Sequence, residues 1–384
     1  MADSSNTMKR WAKPKNVAIE RTWFENLDAT RFFGFFHVFL AHCFFSNSPV
    51  IRDTGTFQFL NAHLKSGFLG LDYFFVLSAF LLTWLGLEEI KNTGAFHPLK
   101  FIIRRGLRLW PLYFLLVGAV YIVAVFVPDI SSLPPLQVFL LFYANIWMAE
   151  QGQNFLFILV FFWSISAEEQ FYLLWALVLK WLPKALPWLC LLMMVGSILF
   201  RYQYVHENNT LSFHTLSILG NFGTGGLAAW LTFNFETIRN WLRNLSRLFI
   251  ALLYSTLIFL TVFYFWLFSG VQGTVIEKQV FALLFAFIIL EQCFSARSFI
   301  KFGQFSIFNY LGRISLGLYC YHGLVLTFAT KYLAQNNAFR VFLLNPLIIL
   351  ALTLLLSILS YELFEKRVHG LRRFFYPKIN LTKH

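Results

Sequence analysis

The stretch RFFGFFHVFLAH, residues 31–42, decides the fold, because it sets an arginine and a histidine at the two ends of a run that is apolar but for His37. A helix rises about 1.5 Å per residue, so the Arg31 guanidinium lies roughly 16 Å along the axis from the His42 imidazole, about half a bilayer. One group can meet the cytoplasm while the other lies deep in the membrane. Ionisable groups at that depth are costly to bury and are retained for a pathway, a partner or chemistry.

Outward from this segment, the composition names the same solvent. Hydrophobic residues fill 58% of the 384 positions and charged residues 13%, with a mean hydropathy of +0.63. Apolar runs recur from about residue 30 to residue 364. This pattern predicts an all-α, polytopic membrane bundle and excludes a soluble globule. The first 22 residues carry Lys9, Arg10, Lys13, Lys15 and Arg21 but no apolar core and no small-residue cleavage site, so they read as a cytosolic tail rather than a signal peptide. The net charge of +13 comes from basic residues at the ends of apolar segments and in short loops. Charge asymmetry across a bilayer and anionic lipid explain them better than nucleic acid does. Cys43, Cys190, Cys293 and Cys320 fall inside apolar stretches without CxxC spacing, which argues against a disulfide framework or a zinc site.

Spans are expected at about 28–47, 67–87, 108–127, 155–179, 187–205, 213–232, 247–269, 279–296, 311–330 and 341–363, each near the roughly 20 residues that a helix needs. LQVFLLFYANIW at 137–148 is short for a span. If it crosses, the Arg-rich loop at 236–247 and the tail with Lys366, Arg367, Arg372, Arg373 and Lys378 both fall outside. If it is re-entrant or interfacial, both fall inside with the basic N-terminus and Lys100, Arg104 and Arg105. The second choice gives about ten spans in a multi-pass cell membrane, with both termini cytoplasmic. It implies one membrane domain over 26–367 between basic tails at 1–25 and 368–384. The 49 phenylalanines read as lipid-facing bulk and helix packing.

With that topology, His42, Asp72, Glu168, Glu169 and His322 converge on the outer half of the membrane. Arg31, Arg104, Arg105 and Arg108 mark a cytoplasmic mouth. Arginine forks bind phosphate oxygens in a bidentate way and stay charged in low dielectric, so the mouth suits a polyanionic donor. A neutral imidazole suits a general base, because its ordinary pKa near 6.5 lets it take a hydroxyl proton at neutral pH. A neighbouring carboxylate would orient that imidazole. Together the parts fit acyl transfer from coenzyme A to a hydroxyl. Taken singly, each has a plainer reading. The arginines can be topological charges, the histidine can hold helices together, and the glutamates can pair with a buried arginine. Adjacent residues point about 100° apart, so one of the two glutamates faces the centre. Cys43 points away from His42 and reads as an inert buried thiol.

The blocks in which these residues stand resemble acyltransferase family 3, integral-membrane enzymes that typically O-acylate cell-surface carbohydrates. NLDATRFFGFFHVFLAH is similar to the family's opening block, with Arg31 ten residues clear of an essential histidine, here His42. GFLGLDYFFVLSAFLL at 67–82 carries Gly67, Gly70, Asp72, Phe74, Phe75 and Ser78. FIIRRGLRLWPLY at 101–113 carries the basic set and Pro111. FWSISAEEQFYLLW at 162–175 supplies Trp163, Ser164, Glu168, Glu169, Phe171 and Tyr172. LGRISLGLYCYHG at 311–323 supplies Gly312, Ser315, Tyr319 and His322, and YELFEKR resembles the closing block with Glu365. Ala79 departs from a usual glycine, and Lys366 stands where arginine and then proline are common. Many relatives carry a C-terminal esterase-like domain that is not seen before His384.

The resemblance implies a membrane O-acyltransferase that uses acyl-CoA, with acetyl-CoA the first expectation, no metal, and a lipid-linked or surface carbohydrate as acceptor. It casts His42 as general base with Asp72, Glu168 or Glu169 as its orienter. It casts Arg31, Arg104, Arg105 and Arg108 as the donor site, and Trp163, Ser164, Tyr319 and His322 as residues around the acceptor. Direct transfer and a covalent acyl-histidine both stay open. The competing reading is a proton-coupled secondary transporter or flippase, which also needs intramembrane Arg, His and Glu, but no inverted repeat is visible. Acceptor choice is expected in the outer loops 48–66, 128–136 and 206–212.

Overall fold

The structure, a computed structural model, describes residues 22, 24–127 and 133–376; the basic N-terminal tail and the end of the C-terminal tail lie outside these residues. Among the described residues the regular elements are all helical. Ten principal helices follow the ten expected segments: α1 Glu25–Cys43, α2 Leu69–Thr93, α3 Pro98–Phe126, α4 Phe162–Trp181, α5 Leu186–Gln203, α6 Thr215–Asn234, α7 Arg247–Val262, α8 Gly270–Phe294, α9 Ser315–Tyr332 and α10 Asn345–Ser360. Six helical stretches among the described residues, those containing α2, α3, α4, α5, α8 and α10, are long and apolar enough to cross a membrane. A seventh is reached if Glu236–Arg243 and α7, bent by 88° at their junction, count as one span. The ten expected spans therefore reduce to six or seven by length and composition. The three that fall short, α1, α6 and α9, hold the charged, small and hydroxylated side chains of the interior, which lower their apolar content.

Local signals explain the helix ends. Pro98 stands in the first turn of α3, where its missing N–H would be unpaired anyway. Ser246 caps α7 by accepting the Phe249 N–H at 3.1 Å, and the His214 ring accepts the Leu216 N–H at the start of α6. The 137–148 segment breaks into two short helices, Leu136–Leu140 and Ala144–Gln151, around Phe142, whose φ is +52°. A left-handed phenylalanine needs outside support. The Phe142 ring packs 5.1 Å from that of Tyr113, and its carbonyl accepts the Gln170 amide at 2.8 Å. The segment is too short and too bent to span, in keeping with the re-entrant or interfacial reading.

Two groupings of helices form the core. One, around α3, α4 and α9, is built on Tyr113, Phe162, Trp175 and their neighbours, and another couples α2 to α7 and α8 through Phe80 and Phe281. Helix α6 runs between α2 and α5, and its small residues let it approach both backbones. A Cβ on Gly225 would fall 2.1 Å from the Val76 carbonyl oxygen. The same imagined atom would meet the Ala79 Cβ at 3.1 Å, so the small residue missing at position 79 is present on the facing helix.

The helix ends sort by charge. One end gathers the start of α1, the end of α2, the start of α3 and the end of α8. The Thr22 N–H donates to Glu88, Arg104 pairs with Glu89 at 2.8 Å, and Asn26 donates to the Gln292 carbonyl. The chain after α10 folds back onto this basic end instead of leaving it. His369 Nε2 lies 3.3 Å from the Arg108 carbonyl, and Arg104 donates to the Phe375 carbonyl at 2.8 Å.

Candidate active site

At the basic end the helices frame an open cavity. Arg31 reaches it from the second turn of α1, where Asp28, one turn earlier, holds its guanidinium. Arg104, Arg105 and Arg108 reach it from α3, Arg313 from the helix Ser306–Arg313, and Arg372 from the segment after α10. Six arginines thus face a cavity whose lining includes one acid, Asp28. Arg31, Arg105 and Arg108 also line a second cavity deeper in the bundle. The two spaces share a doorway, and the doorway is basic. Asp28 pairs with Arg31 and Glu89 with Arg104, and the cluster keeps an excess of positive charge that suits an anion.

The inner cavity is lined by Glu168, Ser78, Ser164, Tyr172 and Tyr319 among apolar neighbours. Ser78 donates to one Glu168 oxygen at 3.0 Å and Tyr172 to the other at 2.6 Å, so the carboxylate is fixed from α2 and from its own helix. Glu169 does not line this cavity; it is 2% exposed and buried on another face of α4. Of the adjacent pair, the structure selects Glu168 for the cavity.

Beyond the inner cavity, toward the opposite end of α1, lie the two histidines. The Tyr319 hydroxyl sits 2.9 Å from Ser164 Oγ and donates to the Phe161 carbonyl at 2.9 Å. His322, one turn on in α9, is fully buried; its Nδ1–H donates to the Tyr319 carbonyl, and its Nε2 has no partner among the described residues. The Phe161 ring packs against both, with its centroid 4.2 Å from that of His322 and 5.1 Å from that of His42. The two imidazoles are 5.9 Å apart. His42 is half-buried, and its Nδ1–H donates to the Val38 carbonyl at 2.8 Å. That bond fixes the neutral tautomer that leaves a lone pair on Nε2.

Several expectations meet a different geometry. No carboxylate among the described residues lies within hydrogen-bond distance of His42, so its orientation comes from the Val38 carbonyl rather than from Asp72, Glu168 or Glu169. Asp72 is 1% exposed and engaged elsewhere, accepting from Asn221 at 2.5 Å and from Lys278 at 3.4 Å. A carboxylate that neutralises a buried lysine is not available to hold an imidazole. Trp163 is wedged between Phe75 and Phe213 and lines neither cavity. Ser164 and Tyr319 do line the inner cavity. Glu365, from the closing block, is buried and accepts from Ser360 at 2.7 Å.

Sequence reasoning missed Arg313, and it read Arg372 only as a tail charge. It also missed a buried ion pair, Arg201 with Glu277 at 2.8 Å, in which Arg201 further donates to Ser217 and to the Val275 carbonyl. The signal for that pair was an arginine still inside the fifth apolar segment and the charged couplet Glu277–Lys278 at the head of the eighth.

Comparison with known proteins agrees with the resemblance. A family model described as "Acyltransferase domain" matches residues 24–362. O-acetyltransferase OatA from Staphylococcus aureus strain NCTC 8325 / PS 47 is 28% identical over 347 residues, which cover 83% of this chain and 56% of that protein. The proteins of the same name from strains COL and MRSA252 match to the same extent. The chain spans about half the length of the curated relatives it matches. No solved structure matches it significantly.

Proposed function

The chain belongs to the acyltransferase domain family, and on that premise we propose that it is a membrane O-acyltransferase that moves an acetyl group from acetyl-coenzyme A to a hydroxyl of a lipid-linked or surface carbohydrate. One observation carries the reading: a six-arginine mouth opens through Arg31, Arg105 and Arg108 into a polar chamber one aromatic layer short of His42. The basic end faces the cytoplasm, in line with the charge rule for membrane proteins. The arginines hold the donor's phosphates, and the pantetheine arm lies in the inner cavity beside Ser164, Tyr319 and Glu168. The carbohydrate approaches the half-buried His42 from the opposite side.

In the reaction, His42 Nε2 takes the proton of the acceptor hydroxyl as its oxygen attacks the thioester carbonyl. The C–S bond breaks, and the imidazolium returns the proton to the departing thiolate. The Val38 carbonyl keeps Nε2 as the basic nitrogen throughout. Phe161 and Tyr319 keep bulk water from the thioester until the acceptor arrives. The names of the OatA proteins support an acetyl group and an oxygen acceptor.

The test is purified protein given radiolabelled acetyl-CoA and a polysaccharide acceptor. Label must move onto the acceptor with wild type and must not with His42→Ala, while His42→Ala still binds coenzyme A. Acceptor that accumulates unmodified inside vesicles would instead make the protein a carrier.

A further inference from the structure

The six arginines are not equivalent, and their division carries an assignment that rests on the acyl-CoA reading above. Arg31, Arg105 and Arg108 line both cavities, whereas Arg104, Arg313 and Arg372 line the mouth alone. Coenzyme A is itself divided in the same order. Its thiol arm joins a pyrophosphate, and beyond the pyrophosphate lies an adenosine with a third phosphate on the ribose 3′ oxygen. With the thiol arm in the inner cavity, the pyrophosphate falls at the doorway arginines. The ribose phosphate is left on the mouth side, where Arg313 and Arg372 stand. We propose that Arg313 and Arg372 form the subsite for the donor's 3′-phosphate.

The position of Arg372 supports a built subsite. A charge that only marks topology needs no fixed place, yet the segment bearing Arg372 is tied to α3 at several points. Arg104 donates to the Phe375 carbonyl at 2.8 Å and lies 5.4 Å from the Tyr376 ring centroid. His369 meets the Arg108 carbonyl at 3.3 Å, and Arg372 Nε donates to the His369 carbonyl at 3.0 Å. Arg313 comes from a different part of the chain, just before α9, with its guanidinium 5.8 Å from the Tyr310 ring centroid. Asp28, the one acid of the lining, is committed to Arg31. Two cations from separate elements therefore line the mouth without lining the inner cavity, on the side left to the ribose phosphate when the pyrophosphate takes the doorway. Arginine suits the task because its fork meets phosphate oxygens in pairs.

The experiment measures binding of coenzyme A and of 3′-dephospho-coenzyme A to the full-length protein in detergent, by titration calorimetry. Arg372→Gln and Arg313→Gln are each expected to weaken coenzyme A by roughly tenfold, the worth of a charge-assisted contact, with 3′-dephospho-coenzyme A changed by less than about twofold. Arg108→Gln is expected to weaken both nucleotides alike. Retained affinity for the dephospho compound also reports that a variant is folded. The assignment is overturned if both glutamine variants weaken the two nucleotides equally, or weaken neither. If wild type binds neither nucleotide, the acyl-CoA reading itself fails, an outcome distinct from failure of the subsite alone.

Discussion

Gly312 offers a test in which the structure sets the size of the effect. It stands one residue before Arg313, and a Cβ built on it would lie 1.6 Å from the Asp28 carbonyl oxygen and 2.4 Å from the carbonyl carbon. Ordinary contact begins near 3.4 Å, so Gly312→Ala requires α1 and the helix Ser306–Arg313 to part by 3.4 − 1.6 = 1.8 Å. The obstacle is backbone in the first turn of a helix, which cannot rotate aside as a side chain can. Overpacking a core costs about 1–3 kcal/mol, and this site belongs at the upper end. Asp28 holds Arg31 one turn on, so the same movement drags the doorway guanidinium away from the donor's phosphates. Loss of one such contact is worth roughly a factor of ten in affinity. Gly118→Ala in α3 is the control, since nothing lies within 4 Å of its imagined Cβ. It is expected to stabilise by up to about 1 kcal/mol through helix propensity alone. Thermal midpoints in matched detergent and coenzyme A titrations read both effects. If Gly312→Ala matched wild type in midpoint and in donor affinity, the close crossing of these helices, and the coupling of Arg31 to it, would be refuted.

Three further outcomes follow from the same geometry. Phe161→Ala removes the ring between the histidines and the inner cavity, so acetyl-CoA hydrolysis without acceptor should rise, as measured by thiol release; an unchanged background rate would deny Phe161 its barrier role. Glu277→Gln leaves Arg201 buried without its anion, and Asp72→Asn does the same to Lys278. Each should cost about 3–5 kcal/mol, seen as a lowered thermal midpoint, and a midpoint at the wild-type value would mean the pair is not buried. Ser78→Ala frees one Glu168 oxygen and should cost about 1 kcal/mol in stability while weakening coenzyme A only slightly; a large loss of donor affinity would show Glu168 acting at the donor instead.

How much of this was legible in the sequence varies with the range of the cause. The ten apolar segments were visible because a helix in lipid needs a long apolar run whatever its neighbours do. The short 137–148 piece was visible as an exception for the same reason. The arginine mouth was partly visible, since Arg104, Arg105 and Arg108 lie on neighbouring turns of one helix and Arg31 shares their level. Arg313 and Arg372 were not, because nothing local brings the start of α9 and the chain after α10 to the same cavity. The choice of Glu168 over Glu169 depends on which face of α4 meets α2, and adjacent positions on one helix are indistinguishable without that neighbour.

The sequence by itself determined the solvent, the helical class, the family blocks and the axial distance between Arg31 and His42, because all of these depend on composition and on residues close along the chain. Only the tertiary structure decided the partners. It gave Asp72 to Lys278 instead of His42, gave His42 a backbone carbonyl, packed Phe161 against both histidines, and joined two cavities through three arginines. Those outcomes hang on how helices far apart in the chain rotate and cross. That rotation is fixed by the packing of small residues such as Gly225 and Gly312 against distant backbone.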